Sequence, residues 1–213
     1  MWTIPPSPHP YQHGNLPNAM RAAARQILDE GGPEGVFLRE VARRVGVTGA
    51  AAYRHFHGKE GLLASVATEG FRELAVAMEE AAAETDPLTR ARLAYVQFAL
   101  QKRGLFRMMF GPILAERAKY PELSAAFDVV RRMVTGVEGR PEESPAAIAA
   151  WGVVHGLSAL LVDGLVPEAR AGRLAEEIIG RQRAAARHCG LPGVRSGTAP
   201  EHCLDRRAIR NGA

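Results

Sequence analysis

An all-α fold is what this sequence predicts, and three observations predict it. Ala is the dominant apolar residue of the 213-residue chain, aromatics make up 6%, and clusters of Val and Ile are few, a balance that favours helix over sheet. Apolar residues recur at i, i+3, i+4 and i+7 in one segment after another. Breaks rich in Gly and Pro separate those segments. The length suits one medium domain or two small ones that share a helix. With 46% hydrophobic and 23% charged residues, disorder is excluded for the bulk of the chain. Two cysteines, Cys189 and Cys203, cannot staple a disulfide scaffold and point to a reducing compartment, so a cytoplasmic location is expected.

The elements follow in order. Residues 1–10 carry four prolines and no apolar run after a basic start, so they read as a flexible arm and not as a secretion signal. The first helix opens at Asn15, a candidate cap, shows the stripe Leu16, Ala19, Met20, Ala23, Ile27 and Leu28, and ends at Gly31-Gly32-Pro33. A short second helix carries Leu38, Val41, Ala42 and Val45 inward, with Arg39, Glu40, Arg43 and Arg44 on its other side, and stops at Gly46. Thr48 offers an N-cap to a third helix, Gly49 to Phe56. The fourth begins at Gly58 and runs to about Ala83, with Leu62, Leu63, Val66, Phe71, Leu74 and Met78 inward. Further helices are expected near 88–103, 104–110, 121–137, 145–163 and 170–188, about nine in all. Residues 191–213 lose the periodicity and read as a disordered basic tail.

Residues 144–162 are uncharged and long enough to raise the question of a membrane span. Pro145, Gly152, His155, Gly156 and Ser158 interrupt them, and Glu143 and Asp163 fence them, so a helix buried on all sides in a core or dimer interface is expected instead. Charge is uneven: residues 1–59 hold 7 basic against 4 acidic residues, residues 60–180 hold 13 against 17, and residues 181–213 hold 7 against 2. Two basic ends around an acidic middle point to an anionic partner for the ends.

Two short helices joined by a tight turn with Gly46, the second one capped, read as a helix-turn-helix. The second helix must bury its anchors and show small or hydrogen-bonding groups outward. Ala52 and Phe56 lie four apart on one face, with Gly49, Ala50, Tyr53 and Arg54 opposite. Any short Ala-rich helix has a polar face, so this pattern alone leaves DNA binding and plain packing both open.

Three runs narrow the choice: Tyr11-Gln12-His13-Gly14-Asn15-Leu16, then Leu38 through Thr48, then Tyr53-Arg54-His55-Phe56-His57-Gly58-Lys59-Glu60-Gly61-Leu62-Leu63. Over about residues 11–75 the chain resembles the N-terminal DNA-binding domain of the TetR family, the tetracycline-repressor-like regulators. The resemblance implies that Thr48, Tyr53, His55 and Lys59 contact phosphates and that Gly49, Ala50, Ala51 and Arg54 lie over base edges. Arg54 is the long donor of that set, and Arg favours guanine N7 and O6. Phe37 stands where the family usually has a Ser or Thr that caps the second helix, so Arg39 and Arg44 become candidate substitute phosphate contacts. The donor-poor Gly49-Ala50-Ala51 favours readout through thymine methyls and DNA shape. It also fits a rival reading, a helical small-molecule-binding protein or enzyme without sequence-specific DNA binding.

The C-terminal helices, by the same resemblance, bind a small ligand and dimerise. Trp151 and His155-Gly156 are similar to the signature of one TetR C-terminal subgroup, the WHG domain, as are Phe106 to Phe110 and Tyr120-Pro121-Glu122-Leu123. Candidate ligand contacts are Phe106, Met108, Met109, Phe110, Phe127, Trp151 and His155. Met beside aromatics suits either a core or an adaptable pocket, and His155 either packs or meets the ligand. Gly152, Gly156, Ser158 and Ala159 permit close helix approach between two copies. Two recognition helices must reach half-sites ~34 Å apart, which a dimer provides.

Enzymatic readings find little in the sequence: no complete G-x-S-x-G, no Walker loop, no G-x-G-x-x-G and no H-E-x-x-H occur. His188-Cys189 and His202-Cys203 lack the ligand spacing of a zinc site. The expectation is a homodimeric, ligand-responsive DNA-binding repressor, without cofactor or metal, released from a palindromic operator by a small apolar effector. A helix-turn-helix domain spans residues 11–58 and a ligand-binding and dimerisation domain residues 59–190.

Overall fold

Proline starts four of the described α-helices, and glycine ends several. Pro87, Pro112, Pro121 and Pro145 each occupy the first position of a helix, where no backbone N–H is needed. Gly46 and Gly136 close others in the left-handed conformation. The computed structural model describes residues 15–83, 86–136 and 144–188. The arm over residues 1–10, the run from Tyr11 to Gly14, the two cysteines and the basic tail lie outside the described residues.

Among the described residues there are ten α-helices and no strand. They are α1 Leu16–Gly31, α2 Leu38–Val45, α3 Gly49–His55, α4 Gly58–Ala82, α5 Pro87–Gln101, α6 Arg103–Met109, α7 Pro112–Ala115, α8 Pro121–Thr135, α9 Pro145–Val162 and α10 Ala171–His188. Short 3-10 turns stand at Pro33–Gly35, Arg117–Lys119 and Glu168–Arg170.

Helix α4 is the spine. Its start meets α1 and α2, and along its length it packs on α5 and α8, while α9 and α10 lie against α5. Met20, Ile27, Leu28, Val41, Leu62, Phe71, Leu74, Tyr95, Met109, Leu123 and Ile179 are all essentially withdrawn from water. That apolar burial is the main stabilising term. Polar clamps register the helices: Arg21 bonds Ser65 and pairs with Glu69, Arg25 pairs with Glu73, and the buried Arg92 donates to the Val134 carbonyl at 2.9 Å. Burial pushes the Arg92 guanidinium below its ordinary pKa.

Three expectations are corrected. Asn15 makes no side-chain cap; Pro17 sits in the first turn and offers no N–H there, and only the Asn15 carbonyl starts the ladder, accepting from Ala19 at 3.1 Å. Helix α9 is not a core helix enclosed by its own subunit, which leaves the dimer-interface half of that expectation open. It is apolar and long enough to cross a membrane by composition, with mean hydropathy 1.7, yet only 39% of it is buried within the subunit. Ser158 faces the interior, where its hydroxyl donates to the Val154 carbonyl at 2.8 Å, so it is no part of α9's outer face.

Candidate nucleic-acid interface and small-molecule cavity

The turn between α2 and α3 is set by Gly46. At φ 78° and ψ 29° it adopts a conformation that most side chains avoid. Gly46 then donates to the Arg43 carbonyl at 3.2 Å and Val47 to that of Ala42 at 3.0 Å, which ends α2 and turns the chain. Thr48 caps α3, its Oγ1 accepting from the Ala51 N–H at 3.2 Å. Ala52 and Phe56 are buried, which fixes the rotation of α3. Thr48, Ala50, Tyr53, Arg54 and His55 therefore face solvent, Tyr53 with 57% of its surface exposed, and Gly49 and Ala51 are half-buried.

The basic residues around this unit separate into two groups. Arg44 is held by two carboxylates: its Nη atoms reach Glu30 at 2.6 and 2.8 Å, and its Nε reaches Glu40 at 3.0 Å. Arg43 grips Glu40 with two bonds, at 2.7 and 2.8 Å. Hydrogen bonds from Arg43 and Arg44 pull the Glu40 carboxyl down to about 2. Arg44 thus braces α2 against the end of α1. Arg39 is exposed and makes no ion pair with any described residue. Lys59, at the start of α4, donates to the Pro33 carbonyl at 3.4 Å and stands 4.8 Å over the ring of Phe37, itself 57% exposed. At residue 37, where the resemblance implies a hydroxyl, a ring instead supports a cation.

On the other side of the molecule, aromatic rings from five helices meet. Phe110 lies 4.5 Å from His155 and 4.9 Å from Phe106, and Phe71 lies 5.2 Å from Phe110 and 5.5 Å from Phe127. Phe127 is 5.6 Å from Trp151. Tyr95 is fully buried, and its hydroxyl shares a 2.9 Å hydrogen bond with His155 Nδ1. Desolvation raises the Tyr95 pKa and lowers that of His155, so the pair sits uncharged near neutrality.

Beside these rings a cavity of about 150 Å³ opens between α7 with its following turn, α8 and α9, lined by Leu114, Arg117, Phe127, Arg131, Thr135, Ile148 and Trp151. A second, of about 230 Å³, lies between the end of α4, α5 and the start of α10. Of the residues picked from the sequence, Phe127 and Trp151 line the first cavity, while Phe106, Phe110 and His155 stand behind them in the ring cluster. Met108 and Met109 line neither; Met109 packs on Gly70 of α4. The sequence reading placed Phe71 in the core without linking it to the ring cluster, and did not single out Tyr95, Arg117 or Arg131. Tyr95 carried a signal as an aromatic in an otherwise largely aliphatic helix, whereas an Arg at a turn or on an amphipathic helix reads as solvent-facing.

A helix-turn-helix with an exposed recognition face, joined through one long helix to a bundle that holds a small cavity, defines a helical DNA-binding regulator. The chain belongs to the TetR family. Residues 21–66 match the model for bacterial regulatory proteins of the tetR family, and residues 88–191 match that for the tetracyclin repressor-like C-terminal domain. No curated protein matches it. Among solved structures it is similar to a protein of unknown function from Rhodococcus sp. RHA1, with 28% identity, TM-score 0.69, and 83% of this chain and 97% of that one covered. It is similar in fold to the TetR family transcriptional regulator PfmR from Thermus thermophilus, with 20% identity, TM-score 0.56 and coverage of 76% and 96%. The fatty acid degradation regulator FadR from Bacillus halodurans shares the fold as well, with 16% identity, TM-score 0.57 and coverage of 81% and 96%.

Proposed function

We propose that the chain is a homodimeric repressor that works in the cytoplasm and leaves its operator when a small molecule enters the C-terminal bundle. The observation that carries this reading is the rotation of α3: Ala52 and Phe56 are locked inside, so Tyr53 and Arg54 are shown to solvent behind the Thr48 cap. In this reading Thr48, Tyr53, His55 and Lys59 touch phosphates, Gly49, Ala50, Ala51 and Arg54 face base edges, and Arg39 adds a phosphate contact in preference to the carboxylate-held Arg44. Residues 11–58 read DNA, and residues 59–190 bind the effector and dimerise. The protein acts by binding, not by catalysis.

Helix α6 supports the responsive part of the reading. Its Gly104 lies so close to the Leu28 carbonyl of α1 that a Cβ there would come within 2.3 Å of the oxygen. Phe106, in the middle of the same helix, and Phe110, just past its end, belong to the ring cluster, and Arg107 reaches Asp163 and the Val162 carbonyl at the end of α9, at 3.0 and 2.7 Å. A guest that moves the rings moves α6, and α6 moves α1. The two binding events are then coupled, and each weakens the other.

Selection of genomic fragments with purified protein, followed by gel shifts over a salt series, tests the assignment. One enriched palindrome is expected, bound with a steep salt slope and lost in the double variant Tyr53→Ala, Lys59→Ala. Weak, sequence-blind binding that the variant leaves unchanged would overturn it.

A further inference from the structure

We infer that the cavity between α7, α8 and α9 takes a small organic carboxylate, an anionic head on an apolar body, and not the uncharged effector that the sequence points to. The inference rests on the ligand-responsive reading above and gives its effector a chemistry. Arg117, from the turn after α7, and Arg131, from α8, both line this cavity. Their guanidinium carbons lie 5.4 and 6.0 Å from the centroid of the same ring, Phe127, so both cations border one small space. Arg117 also donates to the Leu114 carbonyl at 3.3 Å, and Arg131 pairs with Asp128 at 3.0 Å. Those contacts hold the two side chains in place. A guanidinium has five N–H donors in a planar fork that matches a carboxylate, and it serves a resident partner and a guest together.

The rest of the lining decides the body of the guest. Trp151, Ile148 and Leu114 are apolar, and the Thr135 hydroxyl is already directed to the carbonyls of Arg131 and Arg132, at 2.9 and 3.3 Å. A volume of about 150 Å³ is the share of roughly five water molecules, room for a single ring or a short chain. An uncharged apolar guest would strip water from the Arg117 guanidinium, whose charge no described carboxylate balances, and give nothing back. An anion with a compact apolar body satisfies both walls. Once seated it presses on Phe127 and Trp151, whose ring neighbours are Phe71 on α4 and His155.

Titration calorimetry on the full-length protein tests this with benzoate, phenylacetate and hexanoate, each beside its primary amide. At least one carboxylate is expected to bind ten times more tightly than its amide, and Arg117→Gln and Arg131→Gln are each expected to weaken it tenfold or more while circular dichroism stays that of wild type. Arg117→Lys, which keeps the charge but not the fork, should fall between. If Arg131→Gln fails to fold, the variants at Arg117, a half-exposed turn residue, decide alone. No binding by any carboxylate, equal binding of the amides, or unchanged affinity in the Arg117 variants would overturn the inference. Operator affinity is measured separately with the same compounds: a carboxylate that binds through the two arginines and leaves operator affinity untouched supports the site and overturns the responsive reading instead.

Discussion

Arg54 and Lys59 are both cations of the helix-turn-helix unit, and their surroundings give them different parts. Arg54 projects from the exposed face of α3, whereas Lys59 is half-buried between the Pro33 carbonyl and the Phe37 ring, which fixes its charge in place. Arg54→Ala is expected to cost about 1–3 kcal/mol on the preferred operator and to relax preference at one base pair. Lys59→Ala should weaken all sequences alike and flatten the slope of log affinity against log salt by about one. Titrations of the operator and its single-base variants at several salt concentrations separate the two; equal losses on every sequence for Arg54→Ala would remove it from base readout. His155 carries a different test. Burial lowers its pKa, so below the ordinary imidazole value of 6.5 the unfolded chain takes up a proton that the folded chain resists. Its contribution to stability is therefore whole above pH 6.5 and declines as pH falls through that value. The gap in Tm between wild type and His155→Gln should narrow from about pH 7.5 to about pH 5, and a constant gap would contradict the burial argument.

At the level of helices, the sequence is legible wherever polar and apolar positions contrast. The stripes of α1, α2 and α4, the Thr48 cap and the four-residue spacing of Ala52 and Phe56 place the exposed face of α3, because a short helix with two buried anchors has one possible rotation. Helix α7 escapes the same reading, since the four residues Pro112–Ala115 cannot establish a period. The exposed face of α9 escapes it for the opposite reason: nearly every residue is apolar, so no face stands out. Arg117 and Arg131 escape because amphipathic logic sends charge to solvent, while here both border a cavity. Gly104 stands only at the expected boundary between two helices in the sequence, whereas in the structure it brings α6 against α1. That contact is testable against a second glycine. In Gly104→Ala the new methyl meets backbone, the Leu28 oxygen at 2.3 Å, which cannot move aside, and a loss of about 1–3 kcal/mol is expected. In Gly61→Ala nothing lies nearer than 3.8 Å, and α4 should gain about 0.5–1 kcal/mol from the better helix former. Urea denaturation of both variants measures the difference; a neutral Gly104→Ala would show that α6 and α1 can part freely.

For the whole molecule, what one subunit leaves uncovered matters most. Ile148 and Leu160 of α9 are 45% and 44% exposed, and Leu165 just beyond it is 71% exposed. Between them, a Cβ added at Gly152 or Gly156 would meet nothing within 4 Å. Inside a lone subunit those glycines have no steric purpose, and each costs about 1 kcal/mol relative to Ala in a helix. Their smoothness is useful when a second backbone comes close, and the proposed dimer would seat its second copy on an apolar face of this kind. Gly152→Leu separates the two cases. The single subunit has room for the side chain, so helix content should stay at the wild-type level. If α9 meets its copy, the leucine holds the two apart: light scattering should report a monomer, Tm should lose its dependence on protein concentration, and operator affinity should fall steeply because two half-sites are no longer read by one body. A Gly152→Leu protein that remains dimeric and binds its operator like wild type would place the interface elsewhere, and the bare face of α9 would then need another explanation.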